Sequence, residues 1–453
     1  MMRSLYSGVA GLKTHQTRMD VIGNNIANVN TTAYKSQSMT FSDLMYQTTQ
    51  AASGANPTTG VGGTNARQIG LGAKTSAIKT AITTQGASQT TNDPFDIMIT
   101  GDSFFIVNNG QNNYFTRDGS FYVDGAGNLA MTSTGYNVMG WQVDPNDASA
   151  IKQDTVSALR VMTTENMTYP PEATKSARIS GIIDKNDTNV NAAAGKIMNL
   201  EFYDNQGYKY TAKLSVHSTT TDGTFTVQLD DILDSKGKTV LADKTKASLQ
   251  QNNTNITAPV LEFNTNNGSF KNVGTAGAQT AASTLTLHFD TGTFPSFTDI
   301  TIDFSNCSNL NNNGSSTVSP IRGDAKGNGA GRKVGEMSGI DIQKDGMIYA
   351  NYDNGCSRLL GQIAVATFAN ASGLAKEGDN LYSATQNSGD FDGIGTDITT
   401  GGGYMNTGVL EMSNVDLSSE FTEMITTQRG FQANSRIITV SDTLLEELTN
   451  LKR

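Results

Sequence analysis

The chain has 453 residues, of which 16% are charged and 7% aromatic, with 46 glycines and a formal net charge of -10. That length sets an expectation of about three domains, each long enough for a sizeable core. The acidic balance and the lack of a basic stripe interleaved with aromatics exclude a nucleic-acid partner from the reading, and with few charges the surface relies on Asn, Thr, Ser and Gln.

The start, Met1-Met2-Arg3-Ser4-Leu5-Tyr6, has a positive charge but no uninterrupted apolar run and no small-residue cleavage site, so no secretory signal peptide is expected. No run of roughly 18 apolar residues occurs either, and no membrane insertion is expected. On these grounds alone the default is a cytoplasmic protein. Leu5, Val9, Leu12, Met19, Ile22, Ile26 and Val29 then follow steps of three and four, with Gln16 in the one polar slot. This spacing predicts an amphipathic helix, which Gly23 and Asn24-Asn25 weaken and the polar Asn28-Val29-Asn30-Thr31-Thr32 ends. Residues 31–72 read as an extended connecting segment, and Ala51 to Gly72, with Gly54, Gly60, Gly62 and Gly63, reads as a flexible or loosely ordered connection.

From Ala73 the signals change to short strands. Phe95-Asp96-Ile97-Met98-Ile99, Ser103-Phe104-Phe105-Ile106-Val107, Tyr114-Phe115-Thr116, Phe121-Tyr122-Val123 and Leu129-Ala130-Met131 are separated by Asn108-Asn109-Gly110, Arg117-Asp118-Gly119 and Asp124-Gly125-Ala126-Gly127-Asn128. The Asp-Gly pairs read as turns, because the alternating Asp positions of a calcium loop are missing. After the turn Asp144-Pro145-Asn146-Asp147, residues 146–331 read as a separate inserted β domain with strands at Met198 to Tyr203, Tyr208 to Val216, Thr224 to Leu229, Val260 to Phe263, Thr284 to Phe289 and Ile300 to Phe304. Within Thr284 to Phe289, alternation puts Leu285, Leu287 and Phe289 on one face and His288 on the other, exposed one. Asn309 to Ser319 and Gly323 to Gly331 are low in complexity, and Gly327-Asn328-Gly329-Ala330-Gly331 reads as a linker: it lacks the spacing and lysine of a phosphate loop.

Strand signals resume at Ile340-Asp341-Ile342, Met347-Ile348-Tyr349-Ala350 and Gln362 to Phe368. Their similarity to the earlier strands predicts one discontinuous β domain, 73–145 plus 332–414, interrupted by the insertion. After Gly401-Gly402-Gly403 the helical period returns. Leu417, Phe421, Met424, Phe431 and Ile438 form one stripe, and Ile437, Leu444, Leu448 and Leu451 a second, rotated one. Asp416 is the expected N-cap, with Glu420 in the first turn. The fold class is mainly β with terminal α-helices. It is read as a nested multidomain subunit whose ends, 1–30 plus 415–453, pair in a coiled-coil-like helical domain. Neither stripe can bury itself alone, so the ends are expected to pack on each other or on neighbouring copies. Opposite charges fit pairing: residues 1–30 carry +2 (Arg3, Lys13, Arg18 against Asp20) and 415–453 carry -2, counting Lys452 and Arg453.

Catalytic and metal chemistry finds no foothold. Cys307 and Cys356 have no CxxC spacing, and His15, His217 and His288 are scattered. No GxSxG or HExxH motif occurs, and nothing in sequence pairs the carboxylates, so no enzyme, cofactor or metal is expected.

The ends do carry a resemblance. Ser4-Leu5-Tyr6-Ser7-Gly8-Val9-Ala10-Gly11-Leu12 and Asn24-Asn25-Ile26-Ala27-Asn28-Val29-Asn30-Thr31-Thr32-Ala33-Tyr34-Lys35 resemble the N-terminal signature of the bacterial flagellar rod and hook proteins. Glu411-Met412-Ser413-Asn414-Val415-Asp416-Leu417 and Met424-Ile425-Thr426-Thr427-Gln428-Arg429-Gly430-Phe431-Gln432-Ala433-Asn434-Ser435-Arg436 resemble their C-terminal signature. Gly346-Met347-Ile348, Tyr352-Asp353-Asn354-Gly355, Leu360 to Ala364 and Gly373-Leu374 resemble the hook branch, as does the large insertion that rod proteins generally lack. The resemblance covers about 1–145 and 332–453 and is weak in 146–331. Ala33-Tyr34 stands where a small residue and an aromatic are usual, and one departure is Gly355-Cys356, where Gly and a polar residue are more usual.

The resemblance implies a self-assembling helical homopolymer, the curved tubular joint between rod and filament. It also implies export by the flagellar type III apparatus without a cleaved signal, which replaces the cytoplasmic default with an extracellular place. The implied partners are further copies, the distal rod protein, and the hook cap and hook-filament junction proteins. Asn24, Asn25, Asn28, Asn30, Gln428, Arg429, Gln432 and Asn434 are the signature positions, and the two apolar stripes are the expected assembly interface. A distal rod protein and, in a different class, a secreted β-rich adhesin-like binding module are the alternatives.

Overall fold

The computed structural model describes residues 2–54, 60, 62–145, 147–241, 244–275 and 282–451. Asn146 of the turn read at 144–147, residues 55–59 and 61 of the connection, and Lys452 and Arg453 of the C-terminal charge count lie outside the described residues. The fold is mainly β, with one long helix at each end: α1, Met2–Ala27, and α2, Leu417–Asn450. The chain divides into two compact units. The first comprises Met1–Thr163, Ile340–Ala350 and Arg358–Arg453, and the second comprises Thr164–Gly339 and Asn351–Ser357.

In the first unit the returning chain pairs with the outgoing chain, always antiparallel. Val409 lies opposite Thr90, Met405 opposite Ile99, Val365 opposite Phe105, Gly140 opposite Ile363 and Leu381 opposite Thr116. Phe104–Asn108 is apolar at consecutive positions because both of its faces are covered: Phe104 and Ile106 enter one core with Phe115, Trp141 and Tyr382, while Phe105 and Val107 enter another with Ile97, Phe121 and Ile363. Trp141 satisfies its indole N–H on the Asp154 and Ile394 carbonyls.

The second unit packs two sheets on one apolar core. Five antiparallel strands, Lys196–Tyr203, Lys209–Ser218, Thr224–Asp234, Val260–Phe263 and Phe270–Gly274, form one sheet. Six form the other, in which Ser176–Ile182 and Ile300–Ser308 run parallel. The alternation read from the sequence orients these strands: Met198, Leu200 and Phe202 meet Leu285, Leu287 and Phe289 inside, and Phe202, Phe289 and Phe297 pack ring on ring. His288 faces outward and pairs with Asp299 at 2.8 Å. Cys307 is buried, hydrogen-bonds to the Ile179 carbonyl, and its thiol is pushed up to about 12 by burial. Cys356 is also buried and touches the Arg332 guanidinium; both thiols are free.

Two connections are more ordered than composition predicts. In the 31–72 segment, Tyr46–Gln50 pairs with Arg67–Gly70, and Gln37–Asp43 pairs with Ala73–Thr80, so much of it is hairpin. Its Thr and Gln residues suit strands whose faces are exposed. Gly323 to Gly331, low in complexity and with 327–331 read as linker, is docked: the Asp324 carboxylate collects the Lys326 and Asn328 amides, the Gly329 carbonyl accepts from the Lys175 and Ser176 amides, and Gly329 and Gly331 lie too close to Ser176 and Thr174 to leave room for a Cβ. These glycines serve close approach where composition suggested looseness.

Candidate assembly interface

Helix α1 lies antiparallel to α2, as the order of partners shows: Gly8 meets Ile438, Gly11 meets Asn434, His15 meets Gly430, Arg18 meets Glu423 and Asn25 meets Glu420. The seam consists largely of small and polar residues. A Cβ on Gly11 would stand 2.6 Å from Asn434 Nδ2, and one on Gly430 would stand 2.7 Å from His15 Cε1, so both glycines set how closely the axes approach. Thr14, Ile22, Asn25, Thr427 and Ser441 are buried along it. His15 stacks edge-on against Phe41, and burial, then the charge of Arg18, holds its imidazole below the ordinary value. Arg18 pairs with Glu423 at 2.9 Å.

The apolar stripes have a different fate. Of the residues predicted for the interface, Ile22 alone is buried; Leu5, Leu12, Met19, Ile26, Met424, Phe431 and Ile438 are half-buried. Val9 is 55% exposed, Phe421 50% and Leu448 50%, and Leu417 and Leu444 are also exposed. Tyr6, Ile425, Ile437 and Val440 extend the same exposed apolar surface. Within one chain, then, the helices meet through Gly, Thr, Asn and the Arg18–Glu423 ion pair while most of the Leu, Val and Phe side chains stay in solvent. Periodicity found the stripes but not the seam, whose signal was the glycine and Asn positions of the two end motifs.

At the base of the helices the signature asparagines form a hub. Asn25 donates to the Gln37 carbonyl and to Glu420, each at 2.8 Å, and accepts from the Gln37 amide and the Tyr34 hydroxyl. Asn24 donates to the Tyr34 hydroxyl, and Asn28 donates back to the Asn24 carbonyl at the end of α1. Burial raises Glu420 above the ordinary carboxylate value. Asn434 fills the space over Gly11; Arg429 donates to Gln432 on its own helix, and Asn30, Gln428, Arg429 and Gln432 are exposed.

Just beyond the hub, the outgoing chain crosses the returning one. The Ala33 amide donates to the Glu411 carbonyl at 2.8 Å, and Asn414 ties Ser36 to the Ala81 and Thr84 carbonyls. Lys35 and Glu411 form a 2.7 Å ion pair with both side chains fully buried, and the Arg117 guanidinium lies 3.7 Å from the same carboxylate. Burial pulls Lys35 below its ordinary value, with Glu411 opposing. Sequence reading passed over this cluster because nothing in sequence brings the three residues together.

Comparison with known proteins gives these features a family. Residues 5–35 match the flagella basal body rod protein model, 98–180 the flagellar hook protein FlgE/F/G D1 domain, and 406–451 the flagellar basal body rod FlgEFG protein C-terminal model. These matches define the class as the axial proteins of the flagellar rod and hook. The flagellar hook protein FlgE of Borreliella burgdorferi is 37% identical and that of Treponema pallidum 34%, each over the whole of both chains. The flagellar basal-body rod protein FlgG of Bacillus subtilis is 30% identical over the same span. The chain therefore belongs to the flagellar hook protein family, as a structural subunit of the hook. The full-length matches take in 146–331, where the motifs themselves were weak.

Proposed function

We propose that the exposed stripes of α1 and α2 are the surfaces through which copies of this chain build the hook tube. The carrying observation is that Val9, Leu417, Phe421, Leu444 and Leu448 remain exposed while the seam between the two helices is already closed by other residues. An extended apolar surface on a folded chain marks an interaction site. A subunit that offers one face to the next without closing a ring gives a helical polymer. In this reading 1–30 plus 415–453 pair as the coiled-coil-like wall of an inner tube, 31–72 connects it outward, and 73–145 plus 332–414 and the inserted 146–331 stand outside. The Asn- and Thr-rich surface of 146–331, low in charge, suits weak contacts that slide as the tube bends, so that torque passes through a curved joint. Export by the flagellar type III apparatus to an extracellular position, and contact with the distal rod protein, hook cap and hook-filament junction proteins, follow from the family and belong to the same proposal.

The test is Val9→Asp combined with Phe421→Asp. Both side chains are exposed, so the single chain keeps its circular dichroism and melting profile while tubes seen by electron microscopy disappear. Tubes of normal length from the double variant would remove the stripes from the interface.

A further inference from the structure

The buried cluster Lys35, Glu411 and Arg117 has a role that assembly does not require. Lys35 sits on the segment leaving α1, and its ammonium donates to Glu411 and to the Thr84 carbonyl, each at 2.7 Å. Arg117 follows the strand Asn113–Thr116; its guanidinium touches the Gly101 carbonyl and lies 5.2 Å from the Phe104 ring centre. Glu411 ends the strand Val409–Glu411 and also accepts the Gly86 amide at 2.9 Å. All three side chains are at 0% exposure. Buried charges are tolerated when paired, and removing the carboxylate that contacts both Lys35 and Arg117 leaves them buried with the weaker pull of Asp102. Here one carboxylate serves two cations. Both cations precede it in the chain, Lys35 by 376 residues, so a chain made from its N-terminus holds them without this carboxylate until its C-terminal segment arrives.

We propose that Glu411 is a closing latch: its seating between Lys35 and Arg117 is the event that fixes the crossing at residues 31–36 and lets α1 dock on α2. The neutral bonds of the crossing, Ala33 to the Glu411 carbonyl and Asn414 to Ser36, Ala81 and Thr84, set its geometry, and the carboxylate supplies the condition for closure.

Hydrogen exchange read by mass spectrometry on the full chain, at a concentration below self-association, tests this independently of tube formation. In Glu411→Gln, amides at 30–37 and 81–87 exchange faster by roughly two orders of magnitude, while the second unit serves as an internal reference and stays protected. The triple variant Lys35→Met, Arg117→Met, Glu411→Met has no stranded charge and regains slow exchange at those residues. Undiminished protection in Glu411→Gln overturns the latch, and so does a triple variant that exchanges as fast as the single one.

Discussion

Gly11 and Gly430 lie where α1 and α2 come closest, and nothing larger fits at Gly11 without displacing Asn434. Gly11→Val forces a β-branched side chain against that amide, and overpacking of this kind costs about 1–3 kcal/mol. The expected result is a lower urea midpoint for the helical signal with an unchanged midpoint for the β signal. His15, on the same seam, gives the helices a pH dependence. Its folded value is lowered, so below its ordinary value of 6.5 the unfolded chain takes up a proton that the folded chain resists. Stability of the helical signal therefore falls as pH drops below 6.5 and is flat well above it. Glu420, raised by burial, acts in the opposite sense: its contribution is present below its ordinary value of 4.5 and is lost as pH rises through the folded value. His15→Gln should flatten the slope between pH 5 and 7 in urea titrations, and an unchanged slope would place its source elsewhere.

At the scale of elements, the two helices differ in how they begin and end. Helix α2 starts at Asp416, whose carboxylate accepts from the Ser418 amide at 3.0 Å and from the Ser419 hydroxyl at 2.9 Å. Asp416→Ala should cost about 1 kcal/mol, read as a lower melting temperature of the helical signal with the β signal unmoved. This cap was legible because it depends on residues adjacent in the chain. The same holds for the Asp turns: Asp124 and Asp324 each collect the amides two and four residues on, within stretches already marked by Gly and Asn. Strands Phe121–Val123, Leu129–Met131, Val260–Phe263 and Thr284–Phe289 fall where β propensity and alternation put them. What sequence could not show was which face of each helix its partner takes. Periodicity weights Leu, Val and Phe, whereas the seam depends on Gly8, Gly11 and Gly430, whose value lies in the missing side chain. The Lys35, Glu411 and Arg117 cluster was equally hidden, since each residue alone reads as a surface charge.

For the whole molecule, strands before and after the middle that share length and turn type do pair, Val365 opposite Phe105 and Gly140 opposite Ile363. The second unit was harder to bound. Its limits, Thr164–Gly339 with Asn351–Ser357, follow contacts between distant residues, while composition shifts only gradually there. The helical surface is the whole-molecule feature that family membership makes intelligible: a monomer gains nothing from exposing Val9, Phe421 and Leu448, and a polymer does.

The chain leaves its helical end at Ala33 and comes back at Glu411, and a backbone hydrogen bond of 2.8 Å joins the two points. Whatever is strung between them is a closed excursion that starts and finishes at one place. Lengthening or exchanging the part of that excursion that lies in the second unit, Thr164–Gly339, leaves the contacts of Lys35, Arg117 and Glu411 at the crossing in place. A foreign domain spliced into Thr164–Gly339 would leave the seam between the two helices as it is.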